Sequence, residues 1–137
     1  MILSFRVFKE KIENGEKCQT IRPYNEKRYR MFCNAKKYQL YWHNPRNGGK
    51  IIKEAEPDGQ PIRIFFMEPN YGSDYVTVHG STQIDDERLN KLYPCDKDLA
   101  RADGFNTYHE MLTWFSNAHG KEMLRPNEFM IIRWRKD

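Results

Sequence analysis

The sequence predicts an α+β fold, a mostly antiparallel β-barrel with flanking short helices, and three observations lead to it. Between residues 38 and 79, short aromatic and β-branched runs succeed one another across Gly, Asn and Asp turns with no long helix between them. Tyr108, Met111, Leu112 and Phe115 repeat at helical spacing behind the capping box Thr107-Tyr108-His109-Glu110. The run from Glu128 to Arg135, alternating around Phe129, Ile131 and Ile132, supplies a last strand to close the barrel.

Taken in order, Ile2-Leu3-Ser4-Phe5 reads as a strand, and Val7-Phe8 with Ile12 marks one face of a short helix stopped by Asn14-Gly15. Cys18 to Arg22 reads as extended. Period 2 then sends Cys18, Thr20 and Arg22 to one side and Lys17, Gln19 and Ile21 to the other, so Lys17 and Thr20 converge only if the chain bends near Cys18. Beyond Pro23, the segment Tyr24 to Lys37 is helical in its middle, with Met31 and Phe32 turned to the core. Tyr38 to His43 and Lys50 to Glu54 form a hairpin about Asn47-Gly48-Gly49. Asp58-Gly59 turns the chain into Ile62 to Met67, and Pro69-Asn70-Tyr71-Gly72 is a loop before the strand Tyr75 to His79. The acidic stretch from Gly80 to Ala102 gives only helical turns, and Gly120 stops the late helix.

A chain of 137 residues is one domain's worth, and its apolar fraction of 39% with 14% aromatics supports a single core rich in rings. Its longest apolar runs fall far short of the roughly 18 residues a membrane span requires. Cys18, Cys33 and Cys95 are odd in number and widely separated, which fits a reducing, cytoplasmic setting. Without Cys-x-x-Cys spacing or a His pair at i, i+4, no metal or other cofactor is expected. Residues 1 to 50 carry 12 Lys/Arg against 4 Asp/Glu, whereas residues 51 to 104 carry 6 against 11. The basic end of the chain is therefore the one suited to a polyanion, although a solvated basic face accounts equally well for charge alone.

That basic segment contains Gly15-Glu16-Lys17-Cys18-Gln19-Thr20-Ile21-Arg22, an amine, a hydroxyl and a guanidinium within eight positions. The spacing Gly-x-Lys-x-x-Thr-x-Arg, with Asp103-Gly104-Phe105 downstream before a helix holding Trp114-Phe115, resembles the ASCH family of PUA-like domains over nearly the whole chain. The resemblance implies a PUA-like β-barrel, a single domain spanning 1 to 137, and a cleft lined by the motif. It also implies an RNA-directed role, with RNA or a modified nucleoside as partner and a monomer favoured.

Similar proteins hydrolyse N4-acetylcytidine with a lysine, a threonine and a glutamate; others bind RNA, and ribonuclease activity is attributed to some. Carried over, the lysine is Lys17 and the threonine Thr20, and the acid is Asp103, about one methylene shorter than the family's glutamate. Thr20 would attack, Lys17 would take its proton, and Asp103 would orient the lysine or shuttle the proton to the leaving amine. A lysine titrating near 10.4 must be lowered by roughly two to three units by burial or by Arg22 to serve as a base at neutral pH. Arg22, Tyr24, Arg28, Arg30, His43 and Arg46 interleave cations and rings as nucleic-acid or nucleoside contacts. Three readings stand side by side: an RNA-directed domain holding a nucleotide or modified nucleoside, a hydrolase, and an interaction module with no nucleic-acid role.

Overall fold

A computed structural model describes residues 1–67, 76–119 and 128–136 of the chain. Among the described residues, seven strands and five helices follow in the order β1 (Ile2–Phe5), α1 (Lys9–Glu13), β2 (Gln19–Pro23), α2 (Glu26–Asn34), β3 (Tyr38–Trp42), β4 (Lys50–Ala55), β5 (Ile62–Met67), β6 (Thr77–Gly80), α3 (Gln83–Leu92), α4 (Asp96–Ala102), α5 (Tyr108–His119) and β7 (Glu128–Arg133). The hairpin of β3 and β4 turns through a short 3-10 segment, Pro45–Asn47. No helix among the described residues is long and apolar enough to cross a membrane.

The strands do not close a barrel. They form two separate sheets, β1-β3-β4 and β2-β7-β5-β6. The barrel expectation fails at two places. The α1 excursion separates β1 from β2, so that β1 pairs in parallel with β3 while β2 pairs antiparallel with β7. The final strand then sits inside its sheet, between β2 and β5, instead of sealing a seam. The α+β class stands, and every ladder except β1 with β3 is antiparallel.

Strand β7 stands between two hydrophobic clusters, so the expected single core is divided in two. Period 2 sends Phe129 and Ile131 into one cluster, with Ile62, Ile64 and Phe66 of β5 and Leu89, Leu99, Met111 and Phe115 from the helices α3 to α5. Met130, Ile132 and Trp134 face the other way, joining Leu3, Phe5, Ile12, Phe32, Tyr38 and Leu40. A strand buried on both faces reads as a continuous apolar run, which is what Phe129 to Ile132 shows. Across the acidic stretch, where only helical turns are expected, two helices form, α3 and α4. Thr82 caps α3, its hydroxyl accepting from Asp85 N–H at 3.1 Å and donating to the Asp85 carboxylate at 2.8 Å.

The late helix starts as expected. Thr107 Oγ1 accepts from Glu110 N–H at 3.1 Å, while the Glu110 carboxylate reaches back to Asn106 N–H at 3.3 Å, one residue before the expected partner. Met111 and Phe115 are buried, with Tyr108 and Leu112 packed at the cluster edge. Phe32 enters the core but Met31 does not, being 47% exposed, because the nine-residue α2 turns one narrow face inward. The Pro69 to Gly72 loop, the Tyr75 start of its strand and the Gly120 stop lie outside the described residues.

Candidate active site

Two helix ends bring the early motif to the late acid. Helix α1 stops at Asn14, and Gly15 follows at φ 82°, a left-handed conformation that glycine adopts without strain. Lys17 N–H then bonds Lys11 O at 2.9 Å, folding the chain back before β2 begins at Gln19. The bend that convergence requires is thus the irregular pair Lys17-Cys18.

Asp103 is placed by the end of α4. Phe105 N–H bonds Ala100 O at 2.9 Å and Gly104 N–H bonds Arg101 O at 3.0 Å, the pattern of a Schellman cap with Gly104 at the left-handed position. Gly104 has φ 105°, and a Cβ there would stand 2.9 Å from the Phe8 ring. Asp-Gly-Phe is therefore a helix stop that aims the aspartate and seats Phe105 edge-on against Phe8, centroids 5.0 Å apart.

Lys17, Thr20, Arg22 and Asp103 all line one cavity of about 590 Å³. That volume lies within the range of small-molecule sites. Lys17 is 3% exposed and Asp103 4%. The Lys17 ammonium donates to the Asp103 backbone carbonyl at 2.5 Å and stands 3.5 Å from the carboxylate Oδ1. The rings of Phe8 and Phe5 also stand near it, with centroids 5.4 and 6.0 Å away. Burial among these groups draws the Lys17 amine below its ordinary 10.5; Asp103 pulls it back up, and the nearby Arg22 and Lys11 push it further down. Burial likewise raises the Asp103 carboxyl above its ordinary 3.8, against the opposing charges of Lys17 and Arg22 and hydrogen bonds from Gln19 and Lys17.

Arg22 binds the threonine. Its Nε donates to Thr20 Oγ1 at 3.1 Å, and Nη2 donates to Ser4 O at 2.7 Å, with Cζ 5.1 Å from the Phe5 ring centroid. A guanidinium N–H on the hydroxyl oxygen stabilises negative charge developing there and leaves the hydroxyl proton to be donated elsewhere.

Tyr24 and Arg28 also line the cavity. Arg63 lies over the rings of Tyr24 and Tyr29, 4.5 and 5.8 Å from their centroids, while holding Glu128 at 2.7 Å. Three expected contacts lie elsewhere. Arg30 pairs with Glu26 at 2.7 Å beside a second, open groove on the other side of α2. His43 and Arg46 are exposed at the β3 to β4 turn and line neither space. Sequence reasoning missed Gln19, Tyr93, Phe8 and Arg6. Gln19 had a signal, since period 2 places it on the side of Lys17, and both side chains meet Asp103. No group of three or more His, Cys, Asp or Glu among the described residues is arranged to hold a metal.

Compared with models of known protein families, with curated proteins and with solved structures, the chain matches none.

Proposed function

We propose that this cavity hydrolyses an N-acylated nucleobase amide, of the kind carried by N4-acetylcytidine, and that the protein acts in the cytoplasm on a modified nucleoside or nucleotide. This is the activity of one group of the ASCH domains that the chain resembles, and it is the alternative to the RNA-directed role that the resemblance first implies. One observation supports it above others: the amine meets the late carboxylate, the guanidinium meets the hydroxyl, and both pairs line one cavity.

The chemistry follows from the positions. Two acceptors, Asp103 O and Oδ1, occupy two of the Lys17 N–H directions. The third position on nitrogen, a proton or a lone pair, serves the cavity. With its proton weakened by burial, Lys17 takes the Thr20 hydroxyl proton as Oγ1 attacks the amide carbon. Arg22 stabilises the alkoxide, and its remaining N–H groups meet the oxyanion of the tetrahedral intermediate. The C–N bond then breaks, Lys17 returns its proton to the leaving amine, and water, deprotonated by the same amine, cleaves the acyl-threonine ester.

The test is mass-spectrometric turnover of free N4-acetylcytidine, with Lys17→Ala as control. Acetate and cytidine should appear with the native protein and not with the variant. Absence of turnover, or turnover that survives the substitution, removes the hydrolase.

A binding-only RNA reading is favoured by a different observation, the exposed Arg6 and Arg28 among the lining residues. These cations suit a phosphate beside a base in the cavity.

A further inference from the structure

Behind the cavity wall lies a buried chain of hydrogen bonds that the hydrolytic steps do not use. The Tyr93 hydroxyl donates to Gln19 Oε1, and Gln19 Nε2 donates to Asp103 Oδ1 at 3.4 Å. Lys17 stands on that same oxygen at 3.5 Å. Gln19, Asp103, Lys17 and Tyr93 are all buried. Neither Gln19 nor Tyr93 lines the cavity.

An amide has one accepting end and one donating end, so whichever group addresses Oε1 decides what Nε2 faces. Burial and the nearby Asp103 and Asp58 hold the Tyr93 phenol as a donor, pushing it up to about 12 against the lowering effect of Arg133. Its hydroxyl therefore forces the donating end of Gln19 onto Asp103. We propose that Gln19, oriented by Tyr93, is a positioning residue that fixes the Asp103 carboxylate against Lys17 and so sets the state of the amine at the cavity wall. The chain ties the first residue of β2 to the end of α3 and the cap of α4, so the orientation is decided by three separate elements. The charged groups acting on the amine are Asp103, Arg22 and Lys11, and those acting on the carboxylate are Lys17 and Arg22.

The inference rests on the hydrolase reading for its consequence but not for its test. The Lys17 Nζ resonance of 15N-labelled protein, followed against pH without substrate, reads the amine directly. Gln19→Leu removes a donor that favours ionised Asp103, which weakens the charge holding the ammonium. The Lys17 midpoint should fall by about one unit, tenfold in proton affinity. Tyr93→Phe, which leaves Gln19 in place but unoriented, should move it the same way by less. In an Asp103→Asn background, Gln19→Leu should have no effect. A midpoint unmoved in folded Gln19→Leu or Tyr93→Phe protein, or a shift of the same size without Asp103, overturns the proposal. A shifted midpoint in protein that turns over no acetylated nucleoside retains the positioning role and removes only the hydrolase.

Discussion

Replacing Lys17 by methionine keeps most of the side-chain volume and deletes the charge. Asp103 is then left buried with Gln19 Nε2, at 3.4 Å, as its remaining side-chain donor in the pair's surroundings. Breaking a buried ion pair from one side costs about 3–5 kcal/mol, because the surviving charge keeps its desolvation penalty and loses its partner. For a domain of this size, that corresponds to a fall of roughly 10–20 °C in thermal midpoint. The penalty has a sign in pH. The folded carboxyl binds its proton more tightly than the unfolded one, so a neutral Asp103 is tolerated at low pH and stability is lost as pH rises through the folded value. The deficit of Lys17→Met should therefore be smaller at pH 5 than at pH 8. Adding Asp103→Leu should return much of the loss, since a neutral pair of similar volume leaves no stranded charge. Scanning calorimetry on the two single variants and the double variant measures this coupling. If the double variant falls by the sum of the singles, or the Lys17→Met deficit is flat with pH, the pair is not coupled as described.

Hydrolysis should rise with pH and level off once Lys17 is deprotonated, below the ordinary 10.5; Arg22→Met removes one of the charges lowering the amine, so a pH-rate profile should shift to higher pH. Thr20→Val keeps the strand-compatible shape and removes the oxygen, so turnover should vanish while calorimetric binding of cytidine persists; turnover in this variant would exclude a threonine nucleophile. Gly104→Ala places a methyl group 2.9 Å from the Phe8 ring at a φ of 105°, and should cost about 1–3 kcal/mol in chemical denaturation. For the RNA reading, log affinity for a single-stranded oligonucleotide should fall linearly with log salt at a slope of roughly 0.7 per phosphate contacted, and Arg28→Glu should flatten it; salt-independent binding would exclude phosphate recognition.

Much of the local structure was legible in the chain. The turns at Gly15, Gly48 and Gly59, the Thr107 side-chain cap and the apolar spacing of Met111 and Phe115 are short-range signals, and each appears where its pattern stands. So is the grouping of Lys17, Thr20, Arg22 and Asp103, which only a likeness of motifs could suggest across 86 residues of separation. His43 and Arg46 show the limit of such reasoning. A cation beside a ring at a strand end describes a cavity wall and a solvent-facing turn equally well.

The sequence by itself determined the α+β class, the early motif and the residue types available for chemistry, because propensity, turn geometry and period act over a few positions. Tertiary structure alone decided that two sheets form instead of one closed barrel, since strand partners are chosen by shared burial and not by adjacency in the chain. It also decided that a helix cap from one end and a bend from the other meet in a place too dry for water to hold both charges. The altered acidity of Lys17 and Asp103 comes from the burial of both groups, which their opposite charges only partly offset, and no pattern along the chain records it.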